Sequence, residues 1–127
     1  MAMIGFDAVT VSRMEKNLQN EHFMSRQFSQ SERRLIASRS GKRAAETAAA
    51  NFAAKEALSK ALGCGIFKLN LQEISVLRRE SGEPYFEFSG LLKEKMESVH
   101  LCAQLSLSHE NGMAFAMVLL QDDSGLF

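Results

Sequence analysis

Two acids and a lysine set the first question. Asp7 follows a short apolar run, "MIGFDAV", while Glu56 and Lys60 stand four residues apart in "NFAAKEALSKALGCGI". In a helix, Phe52, Glu56 and Lys60 fall along one stripe. An exposed Glu–Lys pair at this spacing stabilises a helix by a few tenths of a kcal/mol and needs no other role. The alternative is a carboxylate and an ammonium aimed into a cleft that holds phosphate and a metal. A hard cation such as Mg²⁺ takes one or two carboxylates and completes its shell with phosphate oxygens and water. Asp7 would be the second carboxylate, although an acid at a strand end is also a common turn residue. At the far end of the chain, "LSLSH" places Ser108 and His109 at the polar end of an alternating segment, where the histidine suits phosphate contact or proton transfer, although a surface histidine also commonly ends a strand.

Other chemistries lack their residues. The glycines of "GCGIFK" follow a helix and are not joined by a third at Lys68, so no dinucleotide fingerprint is present. A Ser–His–Asp hydrolase would need a GxSxG elbow, and none occurs. Cys64 and Cys102 lack pairing or metal spacing and read as free thiols of a reducing, cytoplasmic compartment.

The elements that must position these groups follow from periodicity. "MIGFDAV" reads as a strand with Asp7 near its end, and from Ser12 the spacing of Met14, Leu18 and Phe23 turns helical. Ser29 or Ser31 caps a further short helix. After Gly41 a long alanine-rich helix runs from about Arg43 to Leu62 and stops at Gly63. A hairpin follows, with Ile74 and Val76 on one arm and Tyr85, Phe86 and Phe88 on the other, around Glu80-Ser81-Gly82-Glu83. A short helix from Gly90 to Ser98 leads to the alternating segment "HLCAQLSLSH", with Leu101, Ala103, Leu105 and Leu107 on one face, and "MAFAMVLLQ" follows after the Glu110-Asn111-Gly112 turn. The order is that of an α+β domain, an antiparallel sheet packed against the long helix. Residues 1–121 form a single domain, and 122–127 read as a short tail.

The 127 residues carry no net charge, but the distribution is uneven. From Ser12 to Arg43 eight basic residues stand against three acidic ones, a local +5. Such a segment is either a solvated helix face or a surface for an acidic or phosphorylated partner. With a pI near 6.8 and few aromatics among the charges, nucleic acid is disfavoured. No apolar run approaches the ~20 residues of a membrane span, and the first residues lack the basic start of a signal peptide.

In order along the chain, these motifs resemble those of the holo-acyl-carrier-protein synthase family, the small 4′-phosphopantetheinyl transferases. "IGFDAVTVSRM" is similar to I-G-x-D-x-x-x-x-x-R, and "FAAKEALSKALGCGI" to F-A-A-K-E-A-x-S-K-A-x-G-T-G-I. "SGEPYFEF" and "LSLSH" resemble the family's N-G-K-P-Y hairpin and V-S-L-S-H strand, so the likeness spans about residues 3 to 120. The resemblance implies transfer of the 4′-phosphopantetheine arm of coenzyme A to a serine of an apo acyl carrier protein. Asp7 and Glu56 then match the Mg²⁺ carboxylates. Lys60 matches the lysine beside the pyrophosphate, and Glu56 is the first choice of base. Lys42, Arg43, Gly63, Gly65, Ser108 and His109 match coenzyme A-binding positions, and Arg13 and Arg26 the carrier-docking surface. A homotrimer is implied as well. Three departures accompany the match: Asn51 where the family commonly has arginine, Cys64 for threonine, and Glu110 after His109. They keep open a second expectation, a non-catalytic module of the same fold that binds coenzyme A or a carrier.

Overall fold

The structure, a computed structural model, describes residues 2–63 and 69–122. Cys64, Gly65 and residues 123–127, most of the expected tail, lie outside them.

The chain opens with strand β1 (Ala2–Thr10), followed by helices α1 (Val11–Glu15), α2 (Glu21–Gln27), α3 (Gln30–Ala37) and α4 (Lys42–Leu62). Strands β2 (Ile74–Arg78) and β3 (Pro84–Phe88), helix α5 (Gly90–Ser98), and strands β4 (Leu101–Glu110) and β5 (Met113–Asp122) complete it. Every strand pairing described is antiparallel, in two sheets: β1-β5-β4, and the hairpin β2-β3 by itself. The α+β class and the packing of an antiparallel sheet on the long helix hold. The expected one sheet is two, because β4 and β1 both pair with β5 and the hairpin ladder stays separate.

Alternation sets the faces of the larger sheet. Val9, Ala114, Ala116, Val118 and Leu120 are buried on the side that meets α4, while Ile4, Phe6 and Met117 point away and remain exposed. Helix α4 meets this sheet with its alanines, and Ala45, Ala48, Ala49, Ala53, Ala54 and Ala57 are fully buried. Small side chains let the helix axis come close to the sheet. At Gly5 the approach is so tight that a β-carbon would run into the carbonyl oxygen of Ala57. Gly5 is therefore a spacing requirement two residues before Asp7, fixing how β1 presents that acid to α4.

Two local expectations change. The single helical stretch read from Ser12 is two short helices, because Asn17 and Asn20 divert the backbone. Asn17 Nδ2 donates to the carbonyl of Arg13, and Asn20 Oδ1 accepts the Phe23 amide at the start of α2. For α3 the cap is Ser29, in a reciprocal capping box with Glu32. Helix α4 stops where Gly63 turns left-handed at φ 76°. No helix among the described residues is long and apolar enough to cross a membrane.

Candidate functional site

Asp7 is not a strand-end residue. The β1–β5 ladder continues to Thr10, so Asp7, opposite Ala116, is held within the sheet and faces α4. Its side chain is mostly covered, and Lys60 reaches across from α4 to donate to Asp7 Oδ1 at 2.9 Å and to the Phe6 carbonyl at 3.1 Å. The Lys60 ion pair thus joins helix to strand, where helical spacing alone offers Glu56 as the partner. Glu56 stands one turn earlier, half-buried. Burial first, and then the Asp7 charge, push its carboxyl above the usual glutamate range, with Lys60 and Arg13 offsetting part of that rise. Two carboxylates that repel each other beside a lysine suit a divalent cation, which would relieve the repulsion. Among the described residues no third His, Cys, Asp or Glu joins them. A magnesium ion, which keeps water and substrate oxygens in its shell, fits such a two-carboxylate site better than a cation needing an all-protein cage.

Glu56 also lines a cleft of about 360 Å³ with Arg13, Arg26, Phe52 and the 69–71 segment. The Arg13 guanidinium lies 4.9 Å from the centre of the buried Phe52 ring, a cation–π contact that anchors it beside Glu56. Both arginines expected to meet a carrier protein therefore share a cleft with an expected catalytic acid.

A second cleft, about 300 Å³, opens where the first turns of α4 meet the β2–β3 hairpin and the end of β4. It gathers Arg43, Ser108 and His109 as expected and adds Arg39 and Arg78. His109 Nδ1 lies 3.6 Å from Glu46 Oε2, also of this cleft. Lys42 is exposed at the first position of α4 and is not among the lining residues. Glu110 is exposed as well and lines neither of these clefts. Gly63 serves as the left-handed stop of α4, and Gly65 lies outside the described residues.

Sequence reasoning missed a buried ionic network beneath both clefts. Lys55 Nζ lies 2.5 Å from Glu32 Oε1, and both side chains are sealed from solvent. Lys55 also donates to the carbonyls of Gln27 and Leu71, so all three ammonium protons have acceptors. Glu32 accepts from the Ser29 amide and from Asn51 Nδ2, which in turn donates to the Val76 carbonyl. Desolvation pushes Glu32 up and Lys55 down, and this set of hydrogen bonds favours their charged forms. Asn51 Oδ1 accepts from Arg78 Nη2 at 2.9 Å. The position at which an arginine was expected is thus occupied by a residue that holds one. The available signal was Lys55 itself, set among alanines in a helix without a continuous polar face.

The profile of the 4′-phosphopantetheinyl transferase superfamily matches residues 3–117. Holo-acyl-carrier-protein synthase of Myxococcus xanthus is 42% identical over 123 residues, covering 93% of each chain, and that of Treponema denticola is 40% identical over 93% of this chain and 96% of its own. The chain belongs to the 4′-phosphopantetheinyl transferase superfamily. Within it, the solved neighbours are holo-acyl-carrier-protein synthases too. The Bacillus anthracis enzyme, in complex with coenzyme A (3′,5′-ADP), superposes with a TM-score of 0.78 at 34% identity, covering 93% of this chain and 94% of its own. The Helicobacter pylori enzyme, in complex with coenzyme A, gives 0.79 at 33% identity over 94% of this chain and 100% of its own.

Proposed function

We propose that this chain transfers the 4′-phosphopantetheine arm of coenzyme A to a serine hydroxyl of an apo acyl carrier protein, releasing adenosine 3′,5′-bisphosphate. The observation that carries the reading is the meeting of Asp7, Glu56 and Lys60 between β1 and α4, with Glu56 also lining the Arg13–Arg26 cleft. The serine oxygen attacks the phosphorus that bears pantetheine. A new P–O bond forms, the P–O bond to the adenosine bisphosphate breaks, and the serine proton passes to Glu56. A carboxyl with raised proton affinity suits that task near neutral pH. Lys60 offsets the charge that develops on the bridging and leaving oxygens. Asp7 and Glu56 would hold a magnesium ion, which when bound neutralises diphosphate charge. Arg13 and Arg26 present cations to an acidic carrier surface, and Lys42, Arg43, Gly63, Gly65, Ser108 and His109 belong to the coenzyme A side.

The same reading makes residues 1–121 one transferase domain in a cytoplasmic homotrimer. The exposed apolar face of Ile4, Phe6 and Met117 supports self-association. A module that only binds coenzyme A or a carrier is disfavoured. Asn51 is explained by its buried bonds, and Asp7, Glu56 and Lys60 are all retained. Incubation with an apo carrier, coenzyme A and Mg²⁺ should add one phosphopantetheine mass to the carrier. Absence of that gain across several carriers would overturn the proposal.

A further inference from the structure

Two walls of the Arg13–Arg26 cleft come from distant parts of the chain: Arg26 and Gln27 end α2, and residues 69–71 precede β2. One buried nitrogen holds both. Lys55 Nζ donates to the Gln27 carbonyl at 2.9 Å and to the Leu71 carbonyl at 3.0 Å, and Glu32 takes its third proton. Gln27 is the last residue of α2, so its carbonyl has no partner within that helix, and an ammonium there also meets the negative end of the helix dipole. A second tie is exposed: Gln72 Nε2 donates to the Ser25 carbonyl of α2 at 2.7 Å. Next along the chain, the Glu73 carboxylate accepts the Leu91 and Leu92 amides at the start of α5. The 69–73 segment is therefore anchored to α5, and Lys55 and Gln72 set its spacing from α2.

Stability alone does not require an ion pair at this place, because apolar side chains of similar volume often replace a buried pair without loss. What they cannot do is donate to two carbonyls at once. An ammonium sealed from solvent keeps those bonds whether the cleft is filled or empty, since water does not compete for them. Glu56 follows Lys55 directly in α4, so the residue that spaces the walls and the acid that lines the cleft share one turn of helix.

We infer that Lys55 is a positioning residue for the carrier step: by tying Gln27 to Leu71 it fixes the width of the cleft that receives the carrier's serine, with Gln72 as the outer tie. This rests on the proposed transfer reaction and on the carrier-facing reading of Arg13 and Arg26, and deepens both. With the ties in place, the walls stand at their working separation before a carrier arrives. Without them the carrier must order the walls as it binds, and that cost falls on its affinity. The cleft of Arg43 and His109 has no lining residue in either wall, so the coenzyme A side does not share the cost.

Steady-state transfer with carrier and coenzyme A varied separately tests this. Glu32→Gln/Lys55→Met removes the inner tie together with both buried charges, and the glutamine oxygen can still accept from Asn51. It should raise the carrier KM by about 10- to 30-fold, with kcat and the coenzyme A KM each within about 3-fold of wild type. Gln72→Ala, at an exposed position, should raise the carrier KM by about 3-fold and barely move the melting curve. A merely structural role does not give this pattern, because an unfolded fraction lowers the apparent kcat and leaves KM unchanged. An unchanged carrier KM in the double variant, or an equal rise in the coenzyme A KM, overturns the inference while transfer itself upholds the proposed reaction. If the double variant does not fold, Gln72→Ala decides, and an unmoved carrier KM there overturns the inference. No transfer by the wild type overturns the reaction, and the inference falls with it.

Discussion

Helix α4 carries two lysines that pair with carboxylates of other elements, and the pairs differ in every physical respect. Lys55 is sealed with Glu32 in the interior, with all its protons accepted and desolvation opposing both charges. Lys60 reaches Asp7 with its own side chain 55% exposed, and that contact raises its pKa. Water can replace Asp7 at Lys60 at little cost, whereas nothing can replace Glu32 at Lys55. A pair with little at stake can exchange its partner for a substrate phosphate. A pair whose loss strands a buried charge is bound to architecture. One helix thus supplies the rigid frame and, five residues later, the movable charge.

The comparison breaks hardest at Lys55. Lys55→Met leaves Glu32 buried without its counter-ion and should cost about 3–5 kcal/mol, read as a large fall in the denaturant midpoint. The double variant Glu32→Gln/Lys55→Met, which removes both charges, should recover much of that loss. Additive losses in the double variant would mean that each residue stabilises the fold by packing and that the pair is not the unit.

Next in size is Gly5→Ala. The added carbon strikes the Ala57 carbonyl, so β1 and α4 must separate, at about 1–3 kcal/mol for overpacking. Because Asp7 lies two residues on, transfer should fall more than stability does. A variant that unfolds earlier yet keeps full transfer would detach the site from this close approach.

How much of this was legible follows the range of the interactions. The ends of α4, the Ser29 cap, the hairpin and the alternation of β4 are local patterns, and they appear where periodicity and capping residues put them. Glu56 and Lys60 were legible as a pair one turn apart, but the partner Lys60 takes lies 53 positions away, beyond any spacing rule. The Glu32–Asn51–Lys55–Arg78 network joins α3, α4 and β2 across 19, 23 and 27 positions, also beyond any spacing rule. Glu32 was visible only as one acid in a basic stretch that reads as surface. The split into two sheets was hidden for a related reason, since strand order depends on which edges meet and not on any strand's own pattern.

Glu56→Gln should be smaller in stability and opposite in sign. The folded state raises the Glu56 pKa, so it binds that proton more tightly than the unfolded chain does. Stability from this group is therefore complete below the ordinary glutamate pKa and is lost as pH rises through the raised value. At neutral pH the charged carboxylate destabilises the fold slightly, and glutamine should raise the melting temperature by roughly 1–2 °C, an effect held down by solvent screening at a half-exposed site. Transfer should nevertheless vanish. In the wild type it should fall as pH drops through the raised Glu56 pKa, because in its proposed role a protonated acid could neither accept the serine proton nor hold a cation. Added Mg²⁺ should raise the melting temperature of the wild type and not of Glu56→Gln, a readout independent of turnover.

The smallest effect on the fold belongs to Lys60→Ala, and there the comparison is sharpest. An exposed ion pair stabilises by less than about 1 kcal/mol, so the melting curve should barely move. Transfer should drop by about 100-fold or more, because an electrostatic contact to the departing phosphate contributes most in the transition state. That drop should appear chiefly in kcat if Lys60 has its proposed role, since removing a charge that serves mainly the leaving oxygens changes coenzyme A affinity less. A loss confined to KM would instead make Lys60 an ordinary binding cation. A loss of several kcal/mol in stability would make it a second Lys55, and the division of α4 into frame and working charge would no longer hold.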